Sequence, residues 1–205
     1  MKFVQSGLCA ALWACAAVGA NASLVTNGSF EANQVSHWTI FSAGIDGWST
    51  GSAGIEIQPT GTLGGVSAYD GNQYVELDTT RNSFMYQDIA TTLNGIYSLS
   101  FAYMARPDNI GGSASNPIEV YWGGTKLATF SGKSKPGPWL EVNLDDLKGK
   151  AGFTRLEFRA VGTSDGYGGL IDGVAVAAVP EPESYAMLLA GLGLMATIAR
   201  RRNRR

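Results

Sequence analysis

Between Ser23 and Val179 apolar residues alternate with polar ones, and no stretch repeats at the three- and four-residue spacing of a convincing amphipathic helix. Val75 and Leu77 flank Glu76, and Leu99 and Phe101 flank Ser100. Ile118, Val120 and Trp122 enclose Glu119 and Tyr121; Leu156, Phe158 and Ala160 enclose Glu157 and Arg159. Successive side chains of a strand point to opposite faces, so each run has an apolar face that must be laid against another sheet. A last run spans Leu170 to Val176. Turn-forming residues separate the runs at Asp70-Gly71-Asn72, Asn94-Gly95, Gly111-Gly112, Gly123-Gly124, Pro136-Gly137-Pro138 and Gly168-Gly169. Short strands punctuated in this way predict an all-β fold, an antiparallel β-sandwich with one core, over residues 23–179. The Gly/Ser/Thr-rich segments 42–68 and 107–117 are expected to be loops, and Asn143–Lys150 is compatible with a helical turn.

Composition removes whole classes of function. Cysteine occurs only at Cys9 and Cys15, and histidine only at His37. The sandwich can therefore build neither a Cys/His zinc site nor a Cys–His nucleophile, and no disulfide closes it. Nine basic against fifteen acidic side chains give residues 23–179 a net charge of −6. Such a surface repels phosphate backbones, which excludes nucleic acid as a partner. Asp145 and Asp146 are adjacent, so on a strand they face opposite ways and cannot act as a glycosidase pair. No Gly-x-Ser-x-Gly elbow is present. The chain is expected not to be an enzyme.

The two ends read as addresses. Lys2, the apolar run Gly7–Gly19 and the small residues Ala20 and Ala22 around Asn21 form a secretory signal peptide over residues 1–22, cleaved before Ser23. At the other end Pro180-Glu181-Pro182 breaks the chain, Ser184–Ala199 is uncharged, and five arginines follow within Arg200–Arg205. This predicts a single transmembrane helix whose basic end stays cytoplasmic, leaving the acidic domain on the far side. Motif, apolar span and basic end in this order resemble the PEP-CTERM sorting signal of Gram-negative bacteria, here over residues 180–205. The resemblance implies an exported envelope protein, held at the inner membrane as a precursor and processed by an exosortase-like membrane protease. It also implies a link to exopolysaccharide and biofilm matrix.

The order of segments in the middle carries a second resemblance. Leu24 to Glu31 opens the domain, then come Gly47-Trp48, Asp70 to Leu77, Gln87-Asp88-Ile89, Gly95 to Phe101 and Ile171 to Val174. This is similar to the galactose-binding-like jelly roll of many carbohydrate-binding modules, with Gly173 where the family usually has Asn. The family often ties its first strand to its last with a structural Ca²⁺, and the matching positions are Glu31 and Asp172. Calcium takes six to eight hard oxygens, which such carboxylates supply. The competing reading makes Glu31 a turn cap and gives Asp172 hydrogen bonds to backbone amides. If Val75, Leu77, Leu99, Phe101, Val120, Leu156 and Phe158 point inward, the polar face presents Tyr74, Glu76, Ser98, Ser100, Tyr121, Glu157 and Arg159. Tyr74, Glu76, Tyr121 and Arg159 are candidate ligands for a polysaccharide, against the plainer reading of a solvated sheet face. Trp38, Trp48, Trp122 and Trp139 are expected in the core. The function expected is carbohydrate binding at the cell surface, with a structural or adhesive matrix protein as the alternative.

Overall fold

The computed structural model describes residues 22–51, 53–107, 112–132, 137–180 and 182–202. Ala20 and nearly all of the expected signal peptide lie outside the described residues, as does Glu181; Ala22 is described and exposed, and so is Pro180.

Among the described residues, eleven strands form two antiparallel sheets. The first sheet contains β1 (Thr39–Phe41), β3 (Ile55–Pro59), β4 (Gln73–Leu77), β11 (Gly169–Ala178), β6 (Ile96–Met104) and β9 (Leu140–Lys148), in that spatial order. The second contains β2 (Ser49–Thr50), β5 (Phe84–Thr91), β10 (Gly152–Ala160), β7 (Ile118–Trp122) and β8 (Thr125–Phe130). The alternation sets the inner faces: Val75, Leu77, Leu99, Phe101, Val120, Leu156 and Phe158 are all buried. Phe158 joins the layers, with its ring 5.1 Å from Phe101 and 6.1 Å from Trp48. Jelly-roll sandwich geometry follows from burying both apolar faces in one core.

The opening segment adds to this sheet without being a strand. Leu24 N–H donates to the Val176 carbonyl at 2.7 Å, and Val174 N–H donates to the Gly28 carbonyl at 2.9 Å. Gly28 is required for this approach, because a Cβ there would lie 1.9 Å from the Val174 oxygen.

Two expectations are corrected. Segment 42–68 contains β2 and β3, because Ile55 and Ile57 alternate with Glu56 and Gln58 inside a glycine-rich surrounding. Asn143–Lys150 is mostly strand: β9 pairs with β6 from Leu140 to Lys148, and a bulge accommodates Asp146 at φ 58°. Neighbouring-strand pairing overrides the local helical preference. The apolar tail does form a helix, α1 (Pro182–Arg202), with Leu189, Leu192, Leu194, Met195 and Ile198 exposed. Among the described residues, however, no helix is long and apolar enough to cross a membrane. The uncharged run Ser184–Ala199 has 16 residues, so it spans about 24 Å at about 1.5 Å per residue, against a hydrocarbon core of about 30 Å. Its Ala, Gly, Ser and Thr content dilutes the apolar surface further.

Gly28→Ala should lower stability by about 1–3 kcal/mol, because the new methyl must displace backbone. Calorimetry should read this as about 2–4 °C per kcal/mol. Gly191→Ala in α1, where a Cβ meets nothing within 4 Å, should leave the transition of the sandwich in place.

Candidate functional site

The outward side of the six-stranded sheet is the unusual surface of this molecule. On β3, Ile55 and Ile57 turn to the core, so Glu56 and Gln58 turn outward. On β4 the same alternation turns Tyr74 and Glu76 outward, and Glu56 stands directly opposite Glu76 in the register. All four side chains are buried nonetheless. Leu63 covers Tyr74, Met104 and Leu170 in a second, smaller apolar cluster, with Val66, Ala68 and Trp139 packed against it.

Beside that cluster, two carboxylates and an amide share one small space. Gln58 Nε2 donates to Glu56 Oε1 at 2.5 Å and to Glu76 Oε2 at 3.1 Å. The amide orientation follows from this, since the reverse would set its carbonyl against two carboxylates. Gln58 Oε1 is buried with no partner among the described residues. Arg106 follows β6 and reaches Glu76 Oε1 with Nη1 at 2.5 Å. Nη1 also lies 3.3 Å from the Gly166 carbonyl, and the guanidinium sits 4.7 Å above the Tyr167 ring. Gly168 N–H donates to the same Glu76 oxygen at 2.8 Å. Only glycine fits at 168, where a Cβ would fall 1.4 Å from the Leu77 carbonyl oxygen.

Glu56, Gln58, Arg106 and Gly166 line a cleft of about 360 Å³, together with Trp38, Ile40, Thr62 and Thr79. Trp38 is 59% exposed, which corrects its expected place in the core. It precedes β1, at the edge of the sheet, where no second layer covers it. Trp48 and Trp122 are buried as expected, and Trp139 is half-buried with its indole N–H on the Ser67 carbonyl at 3.0 Å. An exposed indole beside an amide, a carboxyl and a guanidinium offers one apolar face and several directional hydrogen bonds. That is the arrangement a flat molecule with an apolar face and a polar rim requires.

Burial pushes the Glu56 carboxyl up to about 8, helped by the nearby Glu76 charge and opposed by Arg106 and Gln58. Burial also raises Glu76, less far, because Arg106, Gly168 and Gln58 hold its charge. A protonated and an ionised carboxyl side by side resemble an acid–base pair. Glu76, however, is fully buried beneath Arg106, Gly168 and Gln58, and only Glu56 of the two lines the cleft. Glu76 holds the Gly168 loop through its backbone N–H, and Glu56 accepts from Gln58 on its own strand.

The four proposed ligands do not come together. Tyr74 and Glu76 lie on β4 of the six-stranded sheet, whereas Tyr121 and Arg159 lie on β7 and β10 of the other sheet, facing away from it. Tyr74 is shut beneath its cover, 5.7 Å from the Trp139 ring. Tyr121 donates to Glu119 Oε2 at 2.5 Å, and Arg159 pairs with Glu157 and caps the Tyr121 ring at 4.7 Å. None of the four lines the cleft; Glu76 lies beneath it, paired to Arg106 and Gln58 of the wall. Trp38, Glu56, Gln58, Arg106 and Tyr167 were not singled out as a site from sequence. The legible signal was the alternation Ile55-Glu56-Ile57-Gln58, which places two polar side chains outward next to Glu76.

Glu31 and Asp172 both grip the segment that enters β4. Asp172 is fully buried; its Oδ2 accepts from Tyr69 N–H at 2.8 Å and Asp70 N–H at 3.0 Å, and its Oδ1 from Gly173 N–H at 2.7 Å. Glu31 Oε1 accepts from Asn72 and Gln73 N–H, each at 2.7 Å. Three of the four carboxylate oxygens thus face N–H donors, which a cation would repel. Among the described residues no group of three or more His, Cys, Asp or Glu side chains is placed to hold a metal. As arranged, these residues do not fit the calcium shell expected from sequence. The competing amide-binding reading describes their contacts.

Two outcomes follow. A carboxyl raised in the folded state contributes stability below its unfolded value and loses it as pH rises through its folded value. Wild type should therefore lose stability between about pH 5 and about pH 8, with Glu56 raised to about 8 and Asp172 to about 7. Glu56→Gln should flatten the part due to Glu56, as denaturant titrations across that range will measure. Calcium and chelator should give the same melting temperature; a rise with calcium that Asp172→Ala removes would show a metal shell instead.

Comparison with known proteins agrees with both parts of the chain. Residues 178–205 match the family model of the PEP-CTERM protein-sorting motif. Over 118 residues the chain is 33% identical to a protein of Vibrio cholerae serotype O1 named multifunctional-autoprocessing repeats-in-toxin, covering 57% of this chain. Over 138 residues it is 30% identical to the protein of that name from Vibrio vulnificus, covering 62% of this chain. The chain spans only 2% of the length of each of these curated relatives. Among solved structures, TmCBM61 in complex with β-1,4-galactotriose superimposes with a TM-score of 0.51 at 16% identity, covering 77% of this chain and 99% of that one. The sandwich therefore shares its fold with a carbohydrate-binding module, and the chain ends in a PEP-CTERM protein-sorting motif.

Proposed function

We propose that the chain is an exported, C-terminally sorted surface protein whose sandwich binds carbohydrate without cleaving it, in the cleft between Trp38 and the Glu56–Gln58–Arg106 wall. The observation that carries this reading is the 59% exposed Trp38 at the mouth of a cleft floored by buried polar groups. A sugar ring has an apolar C–H face for the indole and a rim of hydroxyls for the wall. The sorting motif supports delivery to the cell surface and processing by an exosortase-type protease. The fold shared with a carbohydrate-binding module supports the class of ligand. Exopolysaccharide of the producing cell is the ligand this combination favours.

A glycan array followed by titration calorimetry tests the reading. Trp38→Ala should weaken the best ligand about tenfold or more, equivalent to at least about 1.4 kcal/mol. Its melting temperature should stay close to wild type, because substitutions at exposed sites change stability by only about 0.5 kcal/mol. Absence of any glycan binding would leave the sandwich a structural or adhesive element of the matrix.

A further inference from the structure

We propose that the Trp38 cleft selects uncharged, hydroxyl-rich sugars over sugars carrying a carboxylate or sulfate, and that Glu76 makes this choice by tying up Arg106. The inference rests on the carbohydrate-binding reading and narrows its ligand.

An acidic sugar is recognised by a cation whose N–H fork is turned toward it. Arg106 is the cation among the residues that line the cleft, and its Nη1 is engaged with Glu76 and the Gly166 carbonyl. Its side chain is 12% exposed, and it holds Glu76 Oε1 at 2.5 Å while its face covers Tyr167. Moving it to meet an anion would strand the Glu76 carboxylate, whose side chain is 1% exposed, without its counter-charge. Glu76 cancels the charge of Arg106, and Glu56 adds no positive charge in either protonation state. The surrounding domain, at a net charge of −6, adds a field that opposes anions.

The test uses the full chain and matched probes. Polygalacturonate and its carboxyl-reduced form share their linkages and differ in charge; β-1,4-galactan, xylan, alginate and heparin widen the set. Wild type should bind at least one neutral polymer in a Trp38-dependent manner, and every acidic one about tenfold more weakly or worse. Glu76→Gln should release Arg106 and narrow that ratio; if this variant does not fold, the wild-type ranking decides alone. Trp38-dependent binding that favours an acidic polymer would overturn the inference while leaving carbohydrate binding in place. Failure to bind any of the polymers, or any glycan on the array, would overturn both.

Discussion

Carboxylates that accept backbone N–H groups hold this domain together. The sandwich has no cysteine, so no covalent link joins its loops. Instead Glu31 holds Asn72 and Gln73, Glu76 holds Gly168, Asp78 holds Asp165 and Gly166, and Asp172 holds Tyr69, Asp70 and Gly173. Apart from the contact to the adjacent Gly173, each satisfies an amide far away in sequence, and a hydrogen bond to a charged acceptor contributes about 1.5–3 kcal/mol. The opposing cost is desolvation, which raises Glu76, Asp78 and Asp172 from their ordinary values. The loops that border the cleft are therefore placed by charge, at the expense of stability in alkaline solution.

The core was legible in the sequence and the site was not, for one physical reason. Alternation reports which side chains share a face of one strand, and all seven residues assigned inward by this signal are buried. It does not report which sheet a strand joins. Tyr74 and Glu76 were therefore grouped with Tyr121 and Arg159, although the two sheets turn these residues to opposite sides of the sandwich. Nor does it report what covers an outer face. Leu63 and its neighbours turn Tyr74 into a core residue. Trp38 shows the converse: residue type favours burial, but a position ahead of a short edge strand has nothing to bury it against.

The two outer faces differ in how far they satisfy themselves. On the five-stranded sheet Arg155 makes two contacts to Asp88, at 2.8 and 2.9 Å, and stacks 3.8 Å over Tyr86. Arg159, Glu157, Tyr121, Glu119 and Lys126 form a comparable chain of contacts. Charge there is spent largely on internal partners, while Phe153 on β10 stays exposed. On the six-stranded sheet an exposed indole and an unmet amide oxygen remain beside one cleft.

The position of β11 has a mechanical consequence. This strand lies inside the six-stranded sheet, bonded to β4 on one side and β6 on the other, and it runs on through Val179 and Pro180 toward α1. The opening segment is bonded to the same strand near Val176. A pull applied through α1 therefore acts along an interior strand and loads its flanking hydrogen bonds in shear, many at once, whereas a pull on an edge strand would unzip them singly. A load entering through this strand is therefore shared among the hydrogen bonds on both of its sides.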